Sequence, residues 1–125
     1  MWGDKNNYYI DYLNEINTIY PEAKYINLTR NPKDICVSYL NLQNIKDEVK
    51  YKPNVPTNVK DIASNIKSNQ NKVNNFLSQI NPSKVYNISY ENLIINPEEE
   101  LVKIGNFLGL DFTSVLSNFN AKIYF

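Results

Sequence analysis

Histidine is absent from all 125 residues, and cysteine occurs once, as Cys36. Without histidine the chain lacks the most common general base and a usual ligand of zinc, and one cysteine excludes an internal disulfide. No metal is therefore expected as a cofactor. We interpret Cys36 as a small buried apolar residue of a helix rather than a reactive thiol.

A net charge is also lacking, because 13 Lys and Arg residues balance 13 Asp and Glu residues. The chain as a whole therefore has no excess positive charge to attract nucleic acid or an anionic membrane. Any anion site must depend on a few neighbouring residues. No stretch approaches the roughly 20 apolar residues of a membrane span, and the start lacks the order of a secretory signal. We expect a soluble chain, with the cytoplasm as the favoured compartment. The oligomeric state stays open.

Glycine is scarce too, with Gly3, Gly105 and Gly109 as the three examples. None opens a strand-loop-helix segment of the kind that cradles a phosphate. The length allows one domain, or part of one, and is short for a complete α/β enzyme with its own substrate pocket.

Arginine occurs once, at Arg30, and every other fixed cation of the chain is a lysine. The composition favours lysine, asparagine, isoleucine and tyrosine, so a single retained arginine suggests a role that lysine does not fill. That role is planar, two-pronged hydrogen bonding to an oxyanion such as phosphate or carboxylate. The alternative interpretation is a surface arginine without a role.

The apolar spacing and the helix-stop residues predict an ordered series of helices and strands. The expected order is helix 7–20, strand 24–29, helix 32–42, long helix 58–80, strand 85–90 and helix 97–108. Asn96 is expected to cap the last helix and Gly109 to end it. This order predicts an α/β fold with a short parallel sheet flanked by helices. Residues 43–57 are interpreted as a surface excursion. We expect the long helix to pack on its own domain rather than on a partner helix.

Arg30 directly follows the first predicted strand and precedes a helix that Asn31 caps and Pro32 opens. Ligands of parallel sheets collect at this end of the strands, where helix N-termini supply free backbone N–H groups and a positive dipole. Ser38 lies about two turns along that helix, roughly 9 Å down its axis. Arg30 and Ser38 are therefore candidates to hold one phosphate from two sides.

Two longer segments carry a resemblance to a known family. Residues 20–38 contain Ala-Lys-Tyr-Ile-x-Leu-x-Arg-x-Pro-x-Asp-x-x-x-Ser, and residues 85–93 read Val-Tyr-Asn-Ile-Ser-Tyr-Glu-Asn-Leu before a helix that ends in Phe-Leu-Gly-Leu. The first resembles the 3′-phosphate-binding segment of the sulfotransferase superfamily, and the second its later strand, Tyr-Glu-Asp-Leu signature and helix. Residues 2–6, Trp-Gly-Asp-Lys-Asn, are similar to a segment of the tyrosylprotein branch, although asparagine replaces its proline.

The resemblance implies a partial P-loop-like three-layer fold and a set of site residues. Arg30 and Ser38 match the pair that binds the 3′-phosphate of the sulfuryl donor, 3′-phosphoadenosine 5′-phosphosulfate (PAPS). Tyr90 matches a tyrosine beside the donor nucleotide, and Lys5 matches a catalytic lysine at the phosphosulfate bridge, where charge grows as the sulfuryl group leaves. The implied partners are PAPS or its product PAP, together with an acceptor that the sequence does not identify.

The family's 5′-phosphosulfate loop, Pro-Lys/Arg-Ser-Gly-Thr-Thr, is absent from the chain. The resemblance therefore covers residues 1–125 as the middle and later part of a catalytic domain. The catalytic base near that loop and the glycine- and lysine-rich loop that covers the nucleotide are missing as well.

Three interpretations follow. In the first, the chain is part of a sulfotransferase that modifies a hydroxyl or an amine, and it is inactive in isolation. In the second, it is a truncated nucleotide-binding remnant or a scaffold. In the third, it is a helical interaction domain whose resemblance to the family is accidental.

Overall fold

The computed structural model describes residues 2–42 and 54–112. The predicted surface excursion at 43–57 lies mostly outside this part of the chain. Within the described residues, no helix combines the length and the apolar character needed to cross a membrane.

The order of elements agrees with the prediction, with short additions. A 3-10 helix, Asn7–Asp11, precedes α1 (Leu13–Ile19), β1 (Tyr25–Thr29), α2 (Pro32–Leu42) and α3 (Val59–Leu77). A second 3-10 helix, Pro82–Lys84, then leads to β2 (Val85–Ser89), α4 (Tyr90–Ile95) and α5 (Pro97–Leu108).

The sheet consists of β1 and β2, which are parallel and hydrogen-bonded to each other. Their register pairs Tyr25 with Val85 and continues without a bulge to Thr29 opposite Ser89. Each residue of β1 therefore lies opposite the residue 60 positions later in the chain, as the hydrogen bond between the Asn27 and Asn87 side chains shows (2.9 Å).

Helices pack against both faces of this sheet. Successive strand residues point to opposite faces, and the ring of Tyr25 meets Phe76 of α3 edge-on, with ring centroids 5.1 Å apart. On the other face, Tyr86 packs against Phe107 of α5 at 5.5 Å. The predicted fold class, an α/β fold with a short parallel sheet flanked by helices, is confirmed.

The small apolar core is formed by residues of α3 and β2, with Ile88 on the sheet face that Tyr86 shares. Its buried hydrophobic members among the described residues are Ile62, Phe76 and Ile88. Cys36, predicted to be buried, is only half-buried.

Two helix termini are fixed by nearby residues, and one of them, the Gly109 end of α5, was predicted from the sequence. The side chain of Asn58 caps α3 by accepting a hydrogen bond from the backbone N–H of Asp61 (2.9 Å). Gly109 ends α5 in the left-handed conformation, with φ of 75°, which glycine adopts without steric cost. Asn96 occupies the predicted cap position of α5, but its side chain makes no capping hydrogen bond.

Three predicted boundaries were wrong. The first helix is split, because Tyr12 leaves helical geometry with φ of −129° and ψ of 21°. Ile80 lies beyond α3, which ends at Leu77. Tyr90 is not the last strand residue: the Ser89 side chain accepts a hydrogen bond from the N–H of Asn92 (3.1 Å), and this N-cap starts α4 at Tyr90.

The buried carboxylate of Glu100 connects α5 to the sheet through a hydrogen bond. Glu100 is only 8% exposed, so its charge requires partners within the fold. Lys103 donates to Glu100 Oε1 at 2.9 Å, and the Tyr86 hydroxyl donates to Oε2 at 3.4 Å. Burial of the Tyr86 phenol, together with the nearby Glu100 charge, raises its pKa. The first-turn glutamates of α5 therefore include one with a packing role.

Ile62→Ala is expected to lower the free energy of unfolding by about 3 kcal/mol, because it leaves a cavity in the small core. Ile62 is fully buried, at 0% exposure, whereas Ile95 is 72% exposed. Ile95→Ala, the matched control, should change stability by less than about 0.5 kcal/mol. Urea denaturation measures both variants, and equal losses would contradict the assignment of this core.

Candidate functional site

Arg30 and Tyr90 are the first residues after the two parallel strands, and their side chains are in contact. The guanidinium carbon of Arg30 lies 4.6 Å from the centroid of the Tyr90 ring. Because Thr29 is paired with Ser89, the next residues in each segment emerge side by side at the carboxyl edge of the sheet. Two of the predicted site residues are therefore brought together.

The following pair of residues is joined by a hydrogen bond. The backbone N–H of Asn31 donates to Oε1 of Glu91 at 2.8 Å. Glu91 is the second residue of α4, so the start of this helix contacts both residues of the connection between β1 and α2. The register of the sheet thus continues past the end of the strands through side-chain contacts.

The carboxyl group of Glu91 is stabilised in its charged form. The hydrogen bond from the N–H of Asn31 lowers its pKa most, followed by the hydrogen bond from its own backbone N–H, with a further contribution from the Arg30 charge. Burial acts in the opposite direction and does not reverse the shift. Glu91 is therefore an anion at neutral pH.

The N-terminus of α2 offers fewer free donors than the sequence predicted. The N–H of Asn31 is taken by Glu91, and the N–H of Lys33 donates to the Asn31 side chain at 3.0 Å. The N–H of Asp34 donates to the Asn31 carbonyl at 3.0 Å, and Pro32 has no N–H. An anion at this point therefore meets the helix dipole and side chains, and the expectation of free backbone N–H groups was wrong for these residues.

Ser38 lies in α2, as predicted, and is half-buried. It follows Pro32 by six residues, which corresponds to a rise of roughly 9 Å along the helix. Arg30 itself is exposed, and no ion pair within the described residues joins it to a carboxylate. The pairing of Arg30 with Ser38 on one ligand stays a prediction.

Lys5 lies on the exposed segment before the first 3-10 helix. Its backbone N–H donates to Asp4 Oδ1 at 2.7 Å, and the Tyr9 hydroxyl donates to the other oxygen of Asp4. No contact within the described part of the chain joins the Lys5 side chain to Arg30 or Tyr90. The structure therefore does not assemble Lys5 with the other candidates.

Glu91 was missed as a site residue by sequence reasoning. The sequence placed Glu91 directly after Tyr90 in the second matched segment, but its pairing with Asn31 follows from the register of the sheet, which only the structure gives. Among residues 2–42 and 54–112, no cluster of three or more His, Cys, Asp or Glu side chains suited to a metal ion occurs.

Comparisons with known proteins agree with this architecture. A family model described as the sulfotransferase family matches residues 1–114, so the chain belongs to the sulfotransferase family. The structure is similar to that of the sulfotransferase domain from the curacin biosynthetic pathway, with a TM-score of 0.72 and 24% sequence identity. The match covers 95% of this chain and 42% of that domain, so the chain spans less than half of that domain's length. No curated protein matches the chain.

Glu91→Gln is expected to make the stability of the fold less dependent on pH. A carboxyl group with a folded-state pKa below its unfolded value stabilises the fold fully above the unfolded value, about 4.3 for glutamate. This contribution is lost as the pH falls through the lowered folded-state pKa of Glu91. The stability difference between wild type and variant should therefore be largest near neutral pH and shrink below about pH 4. Denaturation midpoints between pH 7 and 3 test this, and a constant difference would contradict it.

Proposed function

We propose that this chain is part of a PAPS-dependent sulfotransferase and contributes the half-site for the 3′-phosphate of the nucleotide. The single observation that carries the proposal is the stacking of the Arg30 guanidinium on the Tyr90 ring at 4.6 Å, at the carboxyl edge of two parallel strands. Family membership supports sulfuryl transfer in general, and PAPS as the donor is the finer step proposed here.

Arg30 is suited to recognise a phosphate group. A guanidinium offers several N–H donors in one plane and binds two phosphate oxygens at once. The contact with the Tyr90 ring restricts the guanidinium, while the Arg30 side chain stays exposed to an incoming ligand. The Arg30 side chain has therefore lost part of its rotational freedom before the ribose phosphate of the nucleotide binds.

Ser38 and Lys5 complete the proposed assignment. The hydroxyl of Ser38, on the half-buried side of α2, donates a hydrogen bond to the same 3′-phosphate. Lys5 neutralises the charge that develops on the bridging oxygen as the sulfuryl group leaves. Because Lys5 lies on an exposed N-terminal segment, its role requires that segment to lie against the bound nucleotide.

The remainder of the reaction depends on parts of a P-loop-like domain that this chain does not contain. Transfer of a sulfuryl group to a hydroxyl or amine requires a base and a cradle for the 5′-phosphosulfate. The chain has no histidine and no Pro-Lys/Arg-Ser-Gly-Thr-Thr loop. Proximity and charge neutralisation would supply most of the rate, as in phosphoryl transfer.

Arg30→Lys is expected to weaken the binding of adenosine 3′,5′-bisphosphate to this chain by about tenfold, the size of one charge-assisted hydrogen bond. Lysine retains the charge but loses the planar fork and the stacked geometry. Isothermal titration calorimetry measures both affinities.

The matched control for Arg30→Lys is Lys67→Ala, which removes an exposed cation from α3. This variant should bind like the wild type. Equal affinity of wild type and Arg30→Lys would reject the role of Arg30.

This chain alone is expected not to transfer sulfate from PAPS, because the base and the 5′ loop are absent from residues 1–125. An assay with radiolabelled PAPS and a panel of phenol, sugar and amine acceptors measures the rate, with a complete sulfotransferase as the positive control. Robust turnover by the purified chain would contradict the prediction.

The same absence favours a second candidate function, a non-catalytic nucleotide-binding remnant. The coding sequence upstream separates the two functions. A Pro-Lys-Ser-Gly-Thr-like loop in frame would support the enzyme.

A further inference from the structure

Two consecutive residues at the start of α4 hold the two residues that connect β1 to α2. Tyr90 lies against the Arg30 guanidinium at 4.6 Å, and Glu91 accepts the N–H of Asn31 at 2.8 Å. The first contact orients a side chain, whereas the second fixes the backbone from which that side chain leaves. The two contacts therefore both act on the Arg30 guanidinium, one through its side chain and the other through the backbone.

We infer that Glu91 is a positioning residue of the phosphate half-site, which keeps Arg30 stacked on Tyr90 by holding the backbone N–H of Asn31. The inference rests on the proposed function and adds to it a residue that does not touch the nucleotide. Glu91 acts through the peptide that joins Arg30 to Asn31, since a rotation of that peptide would carry the guanidinium away from the ring.

A negative residue beside an anion site is otherwise unfavourable. The Arg30 charge makes the smallest of the contributions that lower the Glu91 pKa, and the Glu91 carboxylate for its part opposes an incoming phosphate. If electrostatic attraction to phosphate were the sole requirement, no carboxylate would be expected beside Arg30. The geometry accounts for its presence, because the carboxylate satisfies the backbone donor that directly follows the arginine.

The positioning role depends on the length of the Glu91 side chain rather than on its charge. Glu91→Gln keeps the length and an acceptor oxygen but removes the charge. Glu91→Asp keeps the charge but shortens the side chain by one methylene, which withdraws the acceptor from the Asn31 N–H. Glu98→Asp is the matched control, because Glu98 is an exposed glutamate in the first turn of α5.

The single arginine makes the test direct, because its Nε–Hε group gives one signal in a ¹H–¹⁵N spectrum. In the wild type this signal should carry a ring-current shift from Tyr90, and it should move when adenosine 3′,5′-bisphosphate is added. Glu91→Gln and Glu98→Asp should retain the shift and bind within about twofold of the wild type. Glu91→Asp should lose most of the shift and bind about tenfold more weakly, the loss expected for one charge-assisted hydrogen bond.

The outcomes separate the inference from the proposed function. If the wild-type arginine signal shows the ring-current shift but does not respond to the bisphosphate, the proposed function fails while the geometry stands. If the signal responds to the bisphosphate and Glu91→Asp leaves both shift and affinity unchanged, the positioning role is overturned. Loss of the shift in Glu91→Gln, with retention in Glu91→Asp, would also overturn it, because charge and not reach would then hold Arg30.

Discussion

The in-register pairing of two short parallel strands is the constraint on which the rest of the structure depends. Every residue of β1 lies opposite the residue 60 positions later, and the same offset brings Arg30 to Tyr90 and Asn31 to Glu91. A slip of one residue would invert the two faces of a strand. It would also separate Tyr25 from Phe76, so the core and the candidate site are specified by the same register.

The site at the end of these strands depends on side chains more than on the helix that follows. The first backbone donors of α2 have partners within the protein, so the helix contributes its dipole but few free N–H groups. The exposed group at this edge is instead a planar cation held against an aromatic ring. This cation is the single arginine of a chain whose other fixed cations are lysines.

The chain combines an ordered sheet edge, where Arg30 meets Tyr90, with part of the length of a sulfotransferase domain. Its fold corresponds to 42% of a solved sulfotransferase domain, and its sequence has neither histidine nor the loop that resembles the family's 5′-phosphosulfate cradle. In the proposed function, binding of a ribose phosphate needs one strand end, whereas transfer of a sulfuryl group needs groups from several, so the two properties would be separable.

Local patterns determined the elements of this protein. The Asn31-Pro32 start of α2, the Asn58 cap of α3 and the Gly109 end of α5 were predictable, because each depends on residues adjacent in the chain. The candidates Arg30, Ser38, Tyr90 and Lys5 came from motif resemblance. Only the tertiary structure decided that Tyr90 stacks on Arg30, that Glu91 holds Asn31 and that Glu100 is buried. These facts depend on the pairing of segments 60 residues apart and on helix packing, neither of which a local pattern encodes.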